Sequence, residues 1–447
     1  MNMWKLFYLY FFNTLYSVFS DLSFYNKVRM IGKIPSGLQG TLIFSEDSDQ
    51  EGFDPALRLD KKWQQRLHFL KIGATKDPHI HIKTLKLNRY QQIESDYSDF
   101  VKNPFLGQVF LQQLKPESYL VGMTHDIPSI LDEMPDGSMA VTKNYYNKLE
   151  QFGGLSTPLR TYGDSIYFGL SSQEPFNIHQ TLIGINRLTG DVFYKRGYRQ
   201  LFSMNDFLIL PSGRLLFITG MPKDSLIENY SGNLTSFRYQ ESTIHAQDGA
   251  QKHSTLTSFN FKDETHITDL LCATEERERV LLWFYGVRSG NTDLLRKESV
   301  VSNFKPTLHC VELNFRSLKM KTLYEDTFTS LLKPPAFIYN NGKDQLNHQL
   351  YWTSTYPSVD TKHNRLASVV LKDEQTPRIE YLEFGENISP PVLLSRSNEE
   401  TLLATLSRQN HGQRLMIHNT DGVIYAQGSL GNNLGLSQHR GQFFPER

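Results

Sequence analysis

The sequence predicts an all-β protein, a seven-bladed β-propeller, and three features lead there. Apolar residues come in short runs separated by turn residues, without long stripes of helical period. Several runs are joined by hairpin signals: Leu188-Thr189-Gly190, Pro211-Ser212-Gly213 and Asn419-Thr420-Asp421-Gly422. Setting aside the first twenty of 447 residues leaves enough chain for seven units of about 61 residues, the size of large four- or five-stranded blades.

In chain order, the runs predicted as strands are 66–72, 80–87, 165–170, 206–210, 214–220, 279–287, 307–315, 349–356, 365–371, 378–384, 401–407 and 414–418. Helical pattern is confined to stretches such as 105–114. No WD- or kelch-type repeat appears, so the blades are not sequence repeats. No Pro/Ser-rich linker or low-complexity tract breaks the chain, and one domain over 21–447 is expected. Two stacked β-sandwiches remain open on periodicity alone.

Residues 1–20 read as a secretory signal: Lys5 precedes an apolar run from Leu6 to Phe12, and Val18-Phe19-Ser20 supplies the cleavage pattern before Asp21. That run is too short to span a bilayer. The expected destination is therefore the secretory lumen or the outside. Acceptor sequons at Asn229, Asn233 and Asn387 suit a glycoprotein there.

Forty-seven Lys and Arg balance forty-seven Asp and Glu. A nucleic-acid or polybasic membrane-surface protein needs a positive excess to neutralise phosphates, and this chain has none. Two cysteines, Cys272 and Cys310, cannot build a disulfide framework or a four-thiolate zinc site, so a bound metal would rely on His or carboxylates. Asp47-Ser48-Asp49-Gln50-Glu51-Gly52 resembles half of a calcium loop, but its twelfth position is Arg58, a cation where a bidentate carboxylate is required. His79-Ile80-His81 lacks a nearby acidic or thiolate partner in sequence. The nucleophile elbow, Walker loop, zincin helix and Rossmann fingerprint are all missing. Paired carboxylates such as Glu275-Glu276 and Glu399-Glu400 alternate across a strand and read as structural.

Both ends carry longer patterns. The segment Ile31-Gly32-Lys33-Ile34-Pro35-Ser36-Gly37-Leu38-Gln39-Gly40-Thr41-Leu42 resembles the opening of the carotenoid cleavage oxygenases, and Leu434-Gly435-Leu436-Ser437-Gln438-His439-Arg440-Gly441-Gln442-Phe443-Phe444 is similar to that family's terminal signature. Between them, Leu120-Val121-Gly122-Met123-Thr124 resembles the strand before the family's first metal motif. Segments 214–222, 279–287, 334–340 and 390–407 follow in family order. The resemblance covers essentially all of 21–447.

It implies a seven-bladed propeller capped by a loop and helix dome, in which four His hold Fe(II) on the axis and leave two cis positions for O2 and substrate. It also implies carboxylates that orient the imidazoles from outside, and oxidative cleavage of a double bond in a carotenoid, apocarotenoid or stilbene. The expected partner is an apolar small molecule such as a carotenoid, apocarotenoid or retinoid, with contact at a membrane surface for its uptake and no transmembrane span. Carried over residue by residue, the first ligand position holds Thr157 in Leu155-Ser156-Thr157-Pro158. The second holds Asn205 in Asn205-Asp206-Phe207. The third falls on Asp269 or Leu270 by counting back from Glu275, or on His266 if there is a small insertion. The fourth is His439. Among the outer carboxylates Glu275 is the retained candidate, whereas Lys333-Pro334-Pro335 and Ser389-Pro390-Pro391 lack theirs.

Losing one outer carboxylate typically costs 10- to 100-fold in metal affinity or activity. Hydroxyl and amide oxygens are also poor donors to Fe(II) beside imidazole. The sequence therefore favours an iron-poor, catalytically impaired member that retains an apolar cavity. A divergent active dioxygenase using His439 with His266 or Asp269, and a secreted propeller acting as an interaction module, are the alternatives.

Overall fold

Side chains that alternate across each strand, one toward the preceding sheet and the next toward the following sheet, organise the interior. In the computed structural model, Ile166 and Phe168 join a cluster with Leu120 and Ile130, while Tyr167 between them joins Phe207 and Phe217 on the other side. The structure describes residues 26–47, 64–73, 79–88, 109–123, 127–135, 139–171, 180–198, 203–221, 233–240, 243–244, 256–260, 265–276, 278–289, 304–327, 338–341, 348–355, 364–371, 378–383, 387–388, 391–396, 400–409, 412–431 and 440–446.

These residues form seven antiparallel sheets in a β-propeller-like arrangement. The first contains Asn26–Arg29, Gly40–Asp47, Gln64–Ile72 and His79–Asn88, closed by the C-terminal strand Arg440–Pro445. The second spans Val109–Lys115 to Met139–Asn144, the third Gly154–Leu155 to Val192–Tyr198, and the fourth Ser203–Ile209 to Leu256–Asn260. The fifth runs from Thr265–Glu276 to Lys319–Thr327, the sixth from Ile338–Asn341 to Arg378–Glu383, and the seventh from Asn387–Ile388 to Ile424–Gly431, with Ile31–Gly32 added at its edge. Every predicted strand falls on an observed one.

The described apolar clusters lie between neighbouring sheets. They join seventh to first, first to second, second to third, third to fourth, and fourth to fifth. A fully buried Leu or Phe side chain contributes about 1.5–3 kcal/mol, so each seam is held by many independent contributions. Interlocking seams between successive sheets are how a propeller buries a core without facing two sheets into a sandwich. The sandwich alternative does not survive this arrangement.

The helical expectation for 105–114 is corrected over 109–114, and 105–108 lie outside the described residues. Val109–Lys115 is a strand that turns at Glu117, φ 61°, and pairs with Ser118–Met123. Its β-branched and aromatic start, Val109-Phe110, gains more on a half-buried sheet face than from one isolated helical turn. The one described α-helix is the single turn Tyr146–Leu149, and no described helix is long and apolar enough to cross a membrane.

The two chain ends meet in the first sheet. Leu42 lies opposite Phe443 and Phe44 opposite Gly441, so the two terminal patterns form one hydrogen-bonded seam. A Cβ on Gly441 would lie 2.3 Å from Val392 Cγ2 and 2.7 Å from Phe44 Cε1, and that close approach explains the glycine. The three predicted hairpin turns are present. Asn419 Oδ1, for example, accepts from the amides of Asp421 and Val423.

Candidate functional site

The segments that open the third, fourth and fifth sheets carry three of the four candidate ligand positions. Thr157 lies in the third sheet just after Gly154–Leu155. It is fully buried: its hydroxyl accepts from the Gly169 amide at 2.7 Å and donates to the Pro158 carbonyl at 3.0 Å. A Cβ on Gly169 would sit 2.7 Å from Thr157 Cγ2, so the glycine makes room for this side chain against its own sheet. The hydroxyl thus serves the backbone.

Asn205 occupies a β-bulge. Met204 pairs with Thr219 and Asp206 with Ile218, leaving Asn205 as the extra residue. Bulges bend a strand and re-aim side chains, and they concentrate near active sites. The fifth sheet repeats the device: Ile267 pairs with Gly286 and Asp269 with Tyr285, leaving Thr268 extra. This register places positions 266 and 269 on the same face of the strand, although a spacing of three would otherwise separate them. A second irregularity follows between Leu270 and Cys272.

Between these bulges lies a side-chain constellation that the sequence reading did not single out. Arg160 Nη2 donates to both oxygens of Asp206 at 2.8 Å and to the Leu270 carbonyl at 2.7 Å. Asp206 accepts in turn from the Leu270 amide at 2.8 Å and from the Phe207 amide at 2.7 Å. Asp206 is buried and Arg160 is mostly so. Burial pushes the Asp206 carboxyl up and the neighbouring Asp269 carboxylate adds to the rise, while Arg160 and the Leu270 amide pull it back down. The signal for this pair lay in view: a charge three residues after Thr157 and another one residue after Asn205.

The remaining predicted residues are placed as follows. The backbone of His266 belongs to Thr265–Glu276, and its side chain is outside the description. His439 lies outside the described residues, immediately before Arg440–Pro445. Glu275 stands near the other end of the same strand as Asp269. It accepts from the Ser212 amide and hydroxyl, each at 2.9 Å, and lies 3.8 Å from Arg214. Its described partners therefore fasten the Pro211–Gly213 turn and include no imidazole. Asn233 opens Asn233–Gln240 and Asn387 opens a two-residue strand, whereas Asn229, residues 1–20, the 48–58 stretch and the Lys333-Pro334-Pro335 run lie outside the described residues. His79 and His81 belong to a strand whose buried positions are Ile80 and Ile82.

Cys272 and Cys310 are both free and lie opposite Trp283 from its two sides. Two strand spacings, about 9–10 Å, exceed the reach of a disulfide. Burial pushes the Cys272 thiol up to about 12 and raises that of Cys310 as well, so neither is a ready metal ligand. Three His side chains are described and all are buried: His68, His309 stacked on Phe284 with centroids 4.8 Å apart, and His418 between Thr405 and the Asn419 carbonyl. Among the described residues, no group of three or more His, Cys, Asp or Glu is arranged to hold a metal.

Those observations give the fit to a four-imidazole iron centre. At the first position a hydroxyl is engaged on both sides by backbone. Beside the second, the Arg160 guanidinium is fixed on Asp206 and the Leu270 carbonyl, and a cation there repels a divalent ion. The described residues do not fit that centre.

Comparison with solved structures gives the fold an identity. The chain is similar to the lignostilbene dioxygenase of Pseudomonas brassicacearum, with a TM-score of 0.65 and 9% identity over 96% of this chain and 97% of that one. It is similar to an ACO/RPE65 chimera at a TM-score of 0.65 and 12% identity, covering 95% of this chain and 96% of the other. A cobalt-substituted Synechocystis ACO gives a TM-score of 0.63 and 10% identity over 96% and 98% of the two chains. No protein-family model matches the sequence. No curated protein matches it either.

Proposed function

We propose that this chain is a carotenoid-oxygenase-fold protein, a seven-bladed propeller under a dome of loops, that has given up the four-imidazole Fe(II) centre and binds an apolar polyene or retinoid without cleaving it. The fold is that of carotenoid and stilbene oxygenases. The observation that carries the loss of chemistry is Thr157, whose hydroxyl is held between the Gly169 amide and the Pro158 carbonyl where the resemblance requires an imidazole. The reading includes a cleaved signal at 1–20 and passage through the secretory lumen.

The experiment is metal analysis of the purified full-length chain, together with its absorption spectrum and a binding titration with all-trans-retinol and an apocarotenal. The expected result is iron far below one per chain, saturable ligand binding and no cleavage product. Stoichiometric iron with oxidative cleavage of the polyene overturns the reading.

One observation favours a second reading. The bulge at Thr268 puts positions 266 and 269 on one face, the arrangement that a site of His439, His266 and Asp269 requires. Two His and one carboxylate can serve non-haem Fe(II). In that case iron content and activity fall together in Asp269→Asn.

A further inference from the structure

The Arg160 constellation joins the three segments that carry the first, second and third ligand positions. Arg160 follows Thr157 by three residues, Asp206 directly follows Asn205, and Leu270 is one of the residues on which the third position falls. Its reach is unusual for a surface ion pair. One guanidinium nitrogen contacts the fourth sheet through both Asp206 oxygens and the fifth through the Leu270 carbonyl, while its own backbone belongs to the third.

Leu270 explains why charged groups are needed. It lies on the edge strand of the fifth sheet, between two register irregularities, and its N–H and C=O are directed away from the ladder. Buried backbone groups without partners are strongly disfavoured. Asp206 satisfies the N–H and Arg160 the C=O, each by a charge-assisted bond. Arg160 Nε is buried with no hydrogen bond among the described residues, so the cation relies on its Nη2 contacts.

We infer that Arg160, on the third-sheet strand Arg160–Tyr162, is a positioning residue that ties the opening strands of the fourth and fifth sheets to the third, the mechanical part that a metal ion plays where these segments carry its ligands. The tether is built from the chain's own charges and is indifferent to metal. The inference rests on the proposed absence of the four-imidazole centre, and its test is separable from that absence.

Thermal unfolding of the full-length chain is measured for the wild type, Arg160→Met, Asp206→Leu, the double variant and Arg160→Lys, each with and without EDTA and added Fe(II). The wild-type midpoint is expected not to move with EDTA or Fe(II). Each single variant is expected to fall by about 5 °C or more, the double by less than the sum of the two, and Arg160→Lys by less than Arg160→Met. Hydrogen exchange gives a local readout. The Leu270 amide is expected to exchange at least tenfold faster in Arg160→Lys and Asp206→Asn, which keep most of the packing should the larger substitutions fail to fold. Additive single effects or unchanged exchange at Leu270 overturns the tether, whereas a wild-type midpoint that drops with EDTA reports bound metal and counts against the proposed function. Stoichiometric iron in a sample whose coupling and exchange behave as expected contradicts the proposed function and leaves the tether standing.

Discussion

The seam between the chain ends and the group of opening strands in the third to fifth sheets make an instructive pair. At the seam, Gly40–Asp47 and Arg440–Pro445 run in unbroken register, and Gly441 lies where a Cβ would meet Val392 and Phe44. The strands of the fourth and fifth sheets are bulged at Asn205 and Thr268, and the side chains described beside them form a buried ion pair and a backbone-bound hydroxyl. Backbone geometry constrains the side chains in both regions. What differs is the chemistry of the side chains, because a fold constrains where the chain goes more tightly than what it carries there.

The largest effect expected in this comparison is on the side of the opening strands. Arg160→Met leaves the Asp206 carboxylate buried and unpaired, and should cost about 3–5 kcal/mol in denaturant unfolding. A loss below about 1 kcal/mol would reduce the constellation to ornament. On the other side, Gly441→Ala forces a methyl against Val392 and Phe44 and should cost about 1–3 kcal/mol by the same assay. If that substitution is silent, close approach is not what the terminal pattern preserves.

Thr157→Val comes next. It keeps the shape and removes the acceptor of the Gly169 amide, which should cost about 1–3 kcal/mol and leave metal content unchanged. A fall in bound iron on this substitution would show the hydroxyl to be a ligand.

The smallest effect concerns pH and a residue distant from both regions. Burial holds the His418 imidazole below its ordinary value of 6.5. The unfolded chain therefore binds the proton more strongly, so this contribution is complete above about 6.5 and is lost as the pH falls through the depressed folded value. The pH dependence of unfolding should be shallower in His418→Asn between pH 7 and 5, and an unchanged slope would reassign it.

Period-two runs and hairpin turns were readable in the sequence because each strand has one face toward each neighbour, and twelve runs correspond to observed strands. Val109–Lys115 was misread because a short apolar run carries no period of its own and its partner strand is what decides it. The terminal seam was legible as two patterns, but their pairing across some 400 residues was not. Arg160 escaped notice because a single Arg has no motif. Its role exists only where three sheets converge, and a distance of that kind is absent from any local window. Glu275 was read from the resembled motif as an outer carboxylate, and its bonds to Ser212 in the Pro211–Gly213 turn, remote in sequence, were not legible in any local window.

The central claim is that the carotenoid-oxygenase scaffold is kept while its iron centre is not. The most direct test is iron per chain, measured by mass spectrometry on the full-length protein purified without chelators and then again after anaerobic incubation with excess Fe(II) and desalting. The account predicts well under a tenth of an equivalent in both samples. One tightly held equivalent in either contradicts it.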